Sequence, residues 1–309
     1  MQWECSEQVL TEDGYTEDYK ACEEISLERI AQGLKSVKDA PLLQHTQQSQ
    51  DAKIVRAFNP AWRVWSRLIE EYTSRNMTYQ SDKFPALSGV TSALQKLTGD
   101  VCLAGIWKSW FLQGLLWRLQ DPNWDEYVFF PKTPQRSHPW RAPTWSFASV
   151  EGVVVYHLLD HDLGQETYAE LLQCDVCPKG VNPLGELKNG FAKIKAPVAE
   201  VFDVSPVLSD AGRVCKVRMT NGRHAEGSVW FDVEVHNSCY VLMITPHAGI
   251  AIVPVDVAEG TYTRVGAVAV FRIHDPASEA FRRDNTAFMD RDRSISSSHY
   301  PSPKIITLV

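Results

Sequence analysis

The spacing of apolar residues changes near Gly152, and that change excludes any fold built from one kind of secondary structure. Before it, Trp65, Leu68, Ile69 and Tyr72 recur at i, i+3, i+4 and i+7, the spacing of a helix with one buried face. Leu87, Val90, Leu94 and Leu97 supply a second stripe. Trp107, Trp110, Phe111, Gly114 and Leu115 supply a third, so three helices are expected to close on one another. After Gly152 the period falls to two. Val153 to Leu159, Tyr168 to Cys177, Phe191 to Phe202, Arg213 to Met219, Ser228 to Val235, Tyr240 to Thr245, Ile250 to Val255 and Tyr262 to Ile273 are short, β-branched or aromatic runs punctuated by Gly, Pro, Asn and Asp. They predict about eight strands. The expected fold class is α+β: an N-terminal helical, Trp-rich part (1–150) packed on a C-terminal antiparallel β-sandwich or barrel (151–309), the two forming one compact unit. Lys304 to Val309 is expected to add a last strand at a sheet edge.

Eight of the ten tryptophans (62, 65, 107, 110, 117, 124, 140 and 145) lie between Trp62 and Gly152, which places the largest aromatic burial there. Two readings follow. In one, the rings fill the seam between helices and sheet. In the other, Trp65, Tyr72, Trp107, Trp110 and Trp145 wall a dry pocket for a flat hydrophobic small molecule, polycyclic or terpenoid-like. The pocket reading makes Tyr79, Asp82, His138 and Arg141 the candidate catalytic groups, with Glu70 also converging, an acid or tyrosine polarising a carbonyl held in one near-attack shape. The packing reading makes Ser81 or Asp82 a helix cap, places Pro85 in the first turn and leaves Lys83 solvated. Between Asp121 and Pro143 five prolines alternate with aromatics. This is an ordered loop or lid that must fold back on the core, because Trp124, Tyr127, Phe129, Phe130 and Trp140 would otherwise form a large exposed patch.

At the N-terminus, residues 1–20 read as irregular, Leu27, Ile30, Leu34 and Val37 predict a helix over Cys22 to Asp39, and Gln44 to Asp51 reads as a mobile loop. Asp275 to Pro303 is polar, with a short helix carrying Ala280, Phe281, Ala287 and Phe288.

A formal charge of -7 and a pI near 5.7 give no general attraction to phosphate backbones, so no nucleic-acid partner is expected. No charge-free stretch is long enough to span a bilayer, and the start lacks a signal-peptide pattern, so no membrane association and a cytoplasmic location are expected. Seven scattered cysteines then read as free thiols. The most metal-like set is His157 and His161 with Cys174 and Cys177, yet residues three apart on a strand face opposite ways, so no metal site is expected. Nucleophile-elbow, Walker and Rossmann glycine patterns are absent from the sequence, and no cofactor is expected.

Five ordered blocks carry a resemblance: Trp65-Ser-Arg-Leu-Ile-Glu-Glu-Tyr72, Met77 through Gly89, Leu103-Ala-Gly-Ile-Trp107, Gly114-Leu-Leu-Trp117 and Ala142-Pro-Thr-Trp-Ser-Phe-Ala-Ser-Val150. They resemble the region that follows the HET domain in fungal heterokaryon-incompatibility-type proteins. Gln2-Trp-Glu-Cys5, Tyr262-Thr-Arg-Val-Gly266 and Lys304 through Val309 are similar to that region too. In the family's Pro-Ser-Trp-Ser-Trp-Ala-Ser-like block this chain carries Thr144 and Phe147 at two of the usual positions. The family's HET domain, similar to Toll/interleukin-receptor folds and linked to cell death, would lie before residue 1. The resemblance therefore implies a non-catalytic HET-family module that acts in fungal nonself recognition or regulation through a protein partner. The alternative is a cofactor-independent cyclase or isomerase of fungal secondary metabolism that uses the Trp-lined pocket.

Overall fold

The structure is a computed structural model that describes residues 2–4, 9–11, 60–75, 77–120, 134–156, 167–208, 212–273 and 295–309. The expected helix over 22–39, the loop over 44–51, Trp124 to Phe130, the His157 and His161 pair and the short helix after Asp275 all lie outside the described residues. Where an irregular N-terminus was expected, Gln2–Glu4 (β1) and Val9–Thr11 (β2) pair antiparallel.

The first two helices form where the apolar stripes place them. α1 (Pro60–Ser74) starts on a proline, whose missing amide costs nothing in a first turn, and buries Trp62, Trp65, Leu68 and Ile69. α2 (Lys83–Thr98) buries Phe84, Leu87, Thr91 and Leu94. It ends at Gly99, whose left-handed backbone (φ 70°) turns its amide to Gln95 O at 2.8 Å. Asp82 precedes α2 without a side-chain capping bond.

The third expected helix is mostly absent. Cys102–Leu103 (β3) and Ile106–Trp107 (β4) form a two-residue hairpin, and only a single turn, α3 (Phe111–Gly114), follows. The reversal is enforced by positive φ at Ala104 (48°) and Gly105 (85°). A Cβ on Gly105 would also overlap the buried Phe147 ring. Short ladders then tie this part together: Arg118–Leu119 (β5) pairs with Val154–Val155 (β8), and Gln135–Arg136 (β6) with Val150–Glu151 (β7).

The C-terminal half is a nine-stranded sheet. Its strands are Glu170–Pro178 (β9), Leu187–Ala196 (β10), Val198–Phe202 (β11), Arg213–Arg218 (β12), His224–Phe231 (β13), Cys239–Met243 (β14), Ala248–Asp256 (β15), Thr261–Ile273 (β16) and Lys304–Leu308 (β17). The order is β13-β12-β11-β14-β15-β16-β17-β10-β9, and a further β13–β16 pairing closes the first six into a barrel. The barrel alternative therefore holds and the sandwich does not. Two details differ from expectation. The run Phe191 to Phe202 belongs to two strands, broken at Pro197, which lacks the amide a continuous ladder needs. The last strand is not at an edge: β17 lies between β16 and β10, parallel to the former and antiparallel to the latter.

β16 is where the sheet forks. Its first residues, Thr261 and Tyr262, pair with β17, and from Gly266 onward it pairs with β13. Gly266 sits so close to the Trp230 carbonyl that no Cβ would fit. Alternation along the barrel strands sorts side chains to two cores. Val201, Cys215, Val217, Val241, Met243 and Val268 fill the interior, joined by Ile295 and Tyr300, whose hydroxyl donates to Pro246 O at 2.8 Å. On the outer face Leu242, Ile250, Ile252, Ile194, Ile306 and Leu308 pack with the tryptophans of the helical part. No described helix is long and apolar enough to cross a membrane.

Candidate functional site

α1 carries Trp62 and Trp65 on its buried face, the β3–β4 hairpin presents Trp107, the turn after it Trp110, and the Pro143–Ser146 turn Trp145. The rings interlock. Trp62 stacks on Trp110 with centroids 5.6 Å apart, Trp65 meets Trp107 edge-on at 5.2 Å, and Phe111 meets Trp145 at 5.2 Å. Trp65 Nε1 donates to Gly105 O at 3.1 Å and Trp117 Nε1 to Trp145 O at 3.0 Å, so two indoles also close backbone accounts. The fully buried Trp145 Nε1 has no hydrogen-bond partner among the described residues. Beside Trp65 a cavity of about 20 Å³ is lined by Phe84, Leu87, Cys102, Gly105 and Leu187. That is room for a water molecule, whereas pockets for drug-sized ligands measure about 300–1,000 Å³.

Of the five expected ring contacts, Trp65 and Trp107 touch, whereas Trp110 and Trp145 pair with Trp62 and Phe111. Tyr72 is half-buried against the same core and donates its hydroxyl to Lys83 O at 2.9 Å. Burial pushes its pKa up to about 12, with Arg141 pulling it down and Asp82 and Glu151 pushing it up, so it is protonated across the physiological range.

The four candidate catalytic groups separate into two kinds. Tyr79 is 68% exposed, and Asp82 and His138 are exposed. Arg141 is buried and engaged along its whole guanidinium: Nε to Ala148 O (2.7 Å), Nη1 to Gln80 O (3.0 Å) and Nη2 to Glu151 Oε1 (2.6 Å). It thereby pins the Tyr79–Asp82 link beside the 137–141 segment. Trp140, expected to fold onto the core, is instead 48% exposed.

Lys83 is not solvated. Its Nζ donates to Val150 O at 2.7 Å and lies 3.4 Å from Glu151 Oε2, with the side chain almost wholly buried. The cause is position: α2 begins against β7, so its first side chain meets the sheet rather than water. Lys83 and Arg141 therefore share the Glu151 carboxylate, a hydrogen-bonded buried cluster that ties α2, the 137–141 segment and β7 together.

A second cluster sits at the fork of the sheet. Arg264 and Asp232, both with fully buried side chains, form a bidentate pair with Nε–Oδ2 and Nη2–Oδ1 both at 3.1 Å. Arg264 also donates to Trp117 O at 2.6 Å and to Leu115 O, and its guanidinium lies 3.4 Å from the Trp117 ring centroid. Arg136 donates to Arg264 O at 2.7 Å, while its Nη2 comes within 3.5 Å of Asp232. Burial lowers the Arg264 pKa from its usual value and Asp232 raises it again. Arg264, Asp232, Arg136 and Glu151 were missed in the sequence. The available signal was a lone arginine in the otherwise uncharged run Thr261 to Phe271.

On β9, Cys174 is half-buried on the core side and Cys177 exposed. The five described cysteines are free thiols. Among the described residues, no group of three or more His, Cys, Asp or Glu could hold a metal ion. The chain matches no protein-family model, no curated protein and no solved structure.

Proposed function

We propose that this chain is a non-catalytic module that works through a protein partner, in the setting of fungal nonself recognition that its resemblance to HET-type proteins implies. The observation that carries the reading is the filled seam: rings from α1, the β3–β4 hairpin and the Trp145 turn interlock, and the cavity beside Trp65 measures about 20 Å³. Tyr79, Asp82 and His138 stand exposed rather than lining the cavity beside Trp65, and Arg141 is saturated by protein acceptors. What remains at the surface suits contact rather than chemistry. Tyr79 and Trp140 stand exposed on two segments that Arg141 locks together, and aromatics on a fixed support are the side chains that dominate protein interfaces.

The test is native mass spectrometry of the chain purified from its own host. A mass matching the chain plus a polypeptide, lost on substitution of Tyr79 and Trp140 by alanine, is the expected result. A stoichiometric retained metabolite would refute the reading and favour the cyclase or isomerase alternative.

A further inference from the structure

Three residues, Pro301, Ser302 and Pro303, connect two fixed points. On one side Tyr300 is buried in the barrel core and its hydroxyl is bonded to Pro246 O. On the other, Lys304 opens β17 in register with Ala196. Between them the backbone belongs to no helix or strand, and Ser302, Pro303 and Lys304 are exposed. Pro303 disfavours the helical region for the residue before it, so Ser302 is held extended. An exposed hydroxyl on a pre-extended segment, followed by a residue with no amide to satisfy, is the form in which proline-directed protein kinases take a substrate.

We infer that Ser302 is a phosphorylation site for a proline-directed Ser/Thr kinase, accessible without unfolding the chain. The Ser302 Oγ attacks the γ-phosphorus of ATP, the bond from that phosphorus to the bridging oxygen breaks, ADP leaves and the hydroxyl proton is released. Among the described residues the other Ser/Thr-Pro pairs do not share this geometry: Thr245, before Pro246, is buried. Ser205, before Pro206, is half-buried in a turn: its Oγ accepts from Val207 N at 3.1 Å and its amide donates to Val214 O at 2.8 Å. Thr133, before Pro134, lies outside the described residues. The new group adds about −1.5 to −2 charges at the entrance to β17. Lys304 and the exposed Lys195 of the adjoining β10 supply cationic surroundings, so the fold accommodates it. This inference is independent of the partner-binding reading.

The full chain is incubated with a proline-directed kinase and Mg-ATP, beside a synthetic peptide of residues 296–309, and sites are mapped by mass spectrometry. One phosphoryl group on Ser302 of the folded chain is expected, abolished by Ser302→Ala and slowed at least tenfold (roughly, by loss of the extended bias) by Pro303→Ala. The phosphorylated chain should melt within about 2 °C of the unmodified one. Modification of the peptide but not the chain overturns the inference, because the fold then hides the site. So does a phosphate on Ser205 in place of Ser302, modification of neither substrate, or a larger drop in melting temperature.

Discussion

Replacing Arg264 by methionine keeps side-chain length and removes the guanidinium from the fork of the sheet. The losses follow from the structure. Asp232, fully buried, loses both 3.1 Å bonds and, among the described residues, keeps only Arg136 at 3.5 Å as a charged partner. Breaking a buried pair from one side costs about 3–5 kcal/mol, because the remaining charge is left without compensation. The carbonyls of Leu115 and Trp117 lose their donors, at about 1–3 kcal/mol each where water cannot enter. Arg264→Met is therefore expected to lose about 5–11 kcal/mol as the plain sum of these terms, comparable with a typical domain's whole stability of about 5–15 kcal/mol. Adding Asp232→Leu should recover a substantial part, since no charge is then left buried. Arg264→Lys should fall between, because an ammonium cannot reproduce the fork that meets Asp232 and two carbonyls together. Urea unfolding followed by tryptophan fluorescence reads these variants, Asp232→Leu alone and the unaltered chain, and Trp117 stacks directly on the altered group. A loss below about 1 kcal/mol for Arg264→Met, or a double variant as unstable as the sum of the singles, would refute the reasoning.

Two glycines should respond oppositely to alanine. Gly89 lies inside α2 with open space at its Cβ, so Gly89→Ala should stabilise by about 0.5–1 kcal/mol, whereas Gly105→Ala should cost at least about 2 kcal/mol through positive φ and overlap with Phe147; equal urea midpoints for the two would contradict both assignments. Burial pushes the thiols of Cys102, Cys174 and Cys239 from 9.0 up to about 12. The unfolded chain therefore releases those protons near pH 9 while the folded chain keeps them to about 12, so from these groups stability is level below pH 8 and falls as pH rises through that window. Urea midpoints at pH 8 and 10 check this, and an unchanged midpoint would count against it. At pH 8 iodoacetamide should label exposed Cys177 before Cys102, Cys215 or Cys239 in the folded chain, as peptide mapping would show. Trp117→Phe should destabilise more than Trp145→Phe, because the first abandons a bond to a buried carbonyl and the second removes an indole N–H that has no described acceptor; the reverse order in urea would overturn that account.

What could be read from the sequence was whatever local period decides. The stripes of α1 and α2 and the alternation of the barrel strands each state which face is buried, and the structure follows them. Period failed where burial has no preferred side. Ile106, Trp107, Phe111, Leu115, Leu116 and Trp117 are all buried, so their spacing mimics a helix while the chain turns back at Gly105. The barrel's closure was also invisible, since pairing β13 with β16 depends on partners distant in sequence rather than on either strand's pattern. Lys83 was misjudged for a related reason. Propensity places a lysine at a helix start in water, but only tertiary position shows that this start faces Val150 and Glu151.

The Arg264 cluster bonds the barrel to the Trp-rich part directly, while the Glu151 cluster stiffens the helical layer itself. Apolar seams are tolerant of sliding, because hydrophobic burial has no direction. Hydrogen-bonded ions are not. Arg264 reaches from β16 to the carbonyls of Leu115 and Trp117, and Thr144 bonds both the Arg264 amide and the Val309 carbonyl, so one turn of the Trp-rich part holds the fork and the end of the chain. Each partner left alone would be a desolvated polar group, which makes displacement of either layer costly in a way that ring packing is not. The consequence for function is rigidity at a defined place. The Arg141–Gln80 bond that supports exposed Tyr79 and Trp140 belongs to the Lys83–Glu151 cluster, so the proposed contact surface is carried on the least slidable part of the helical layer.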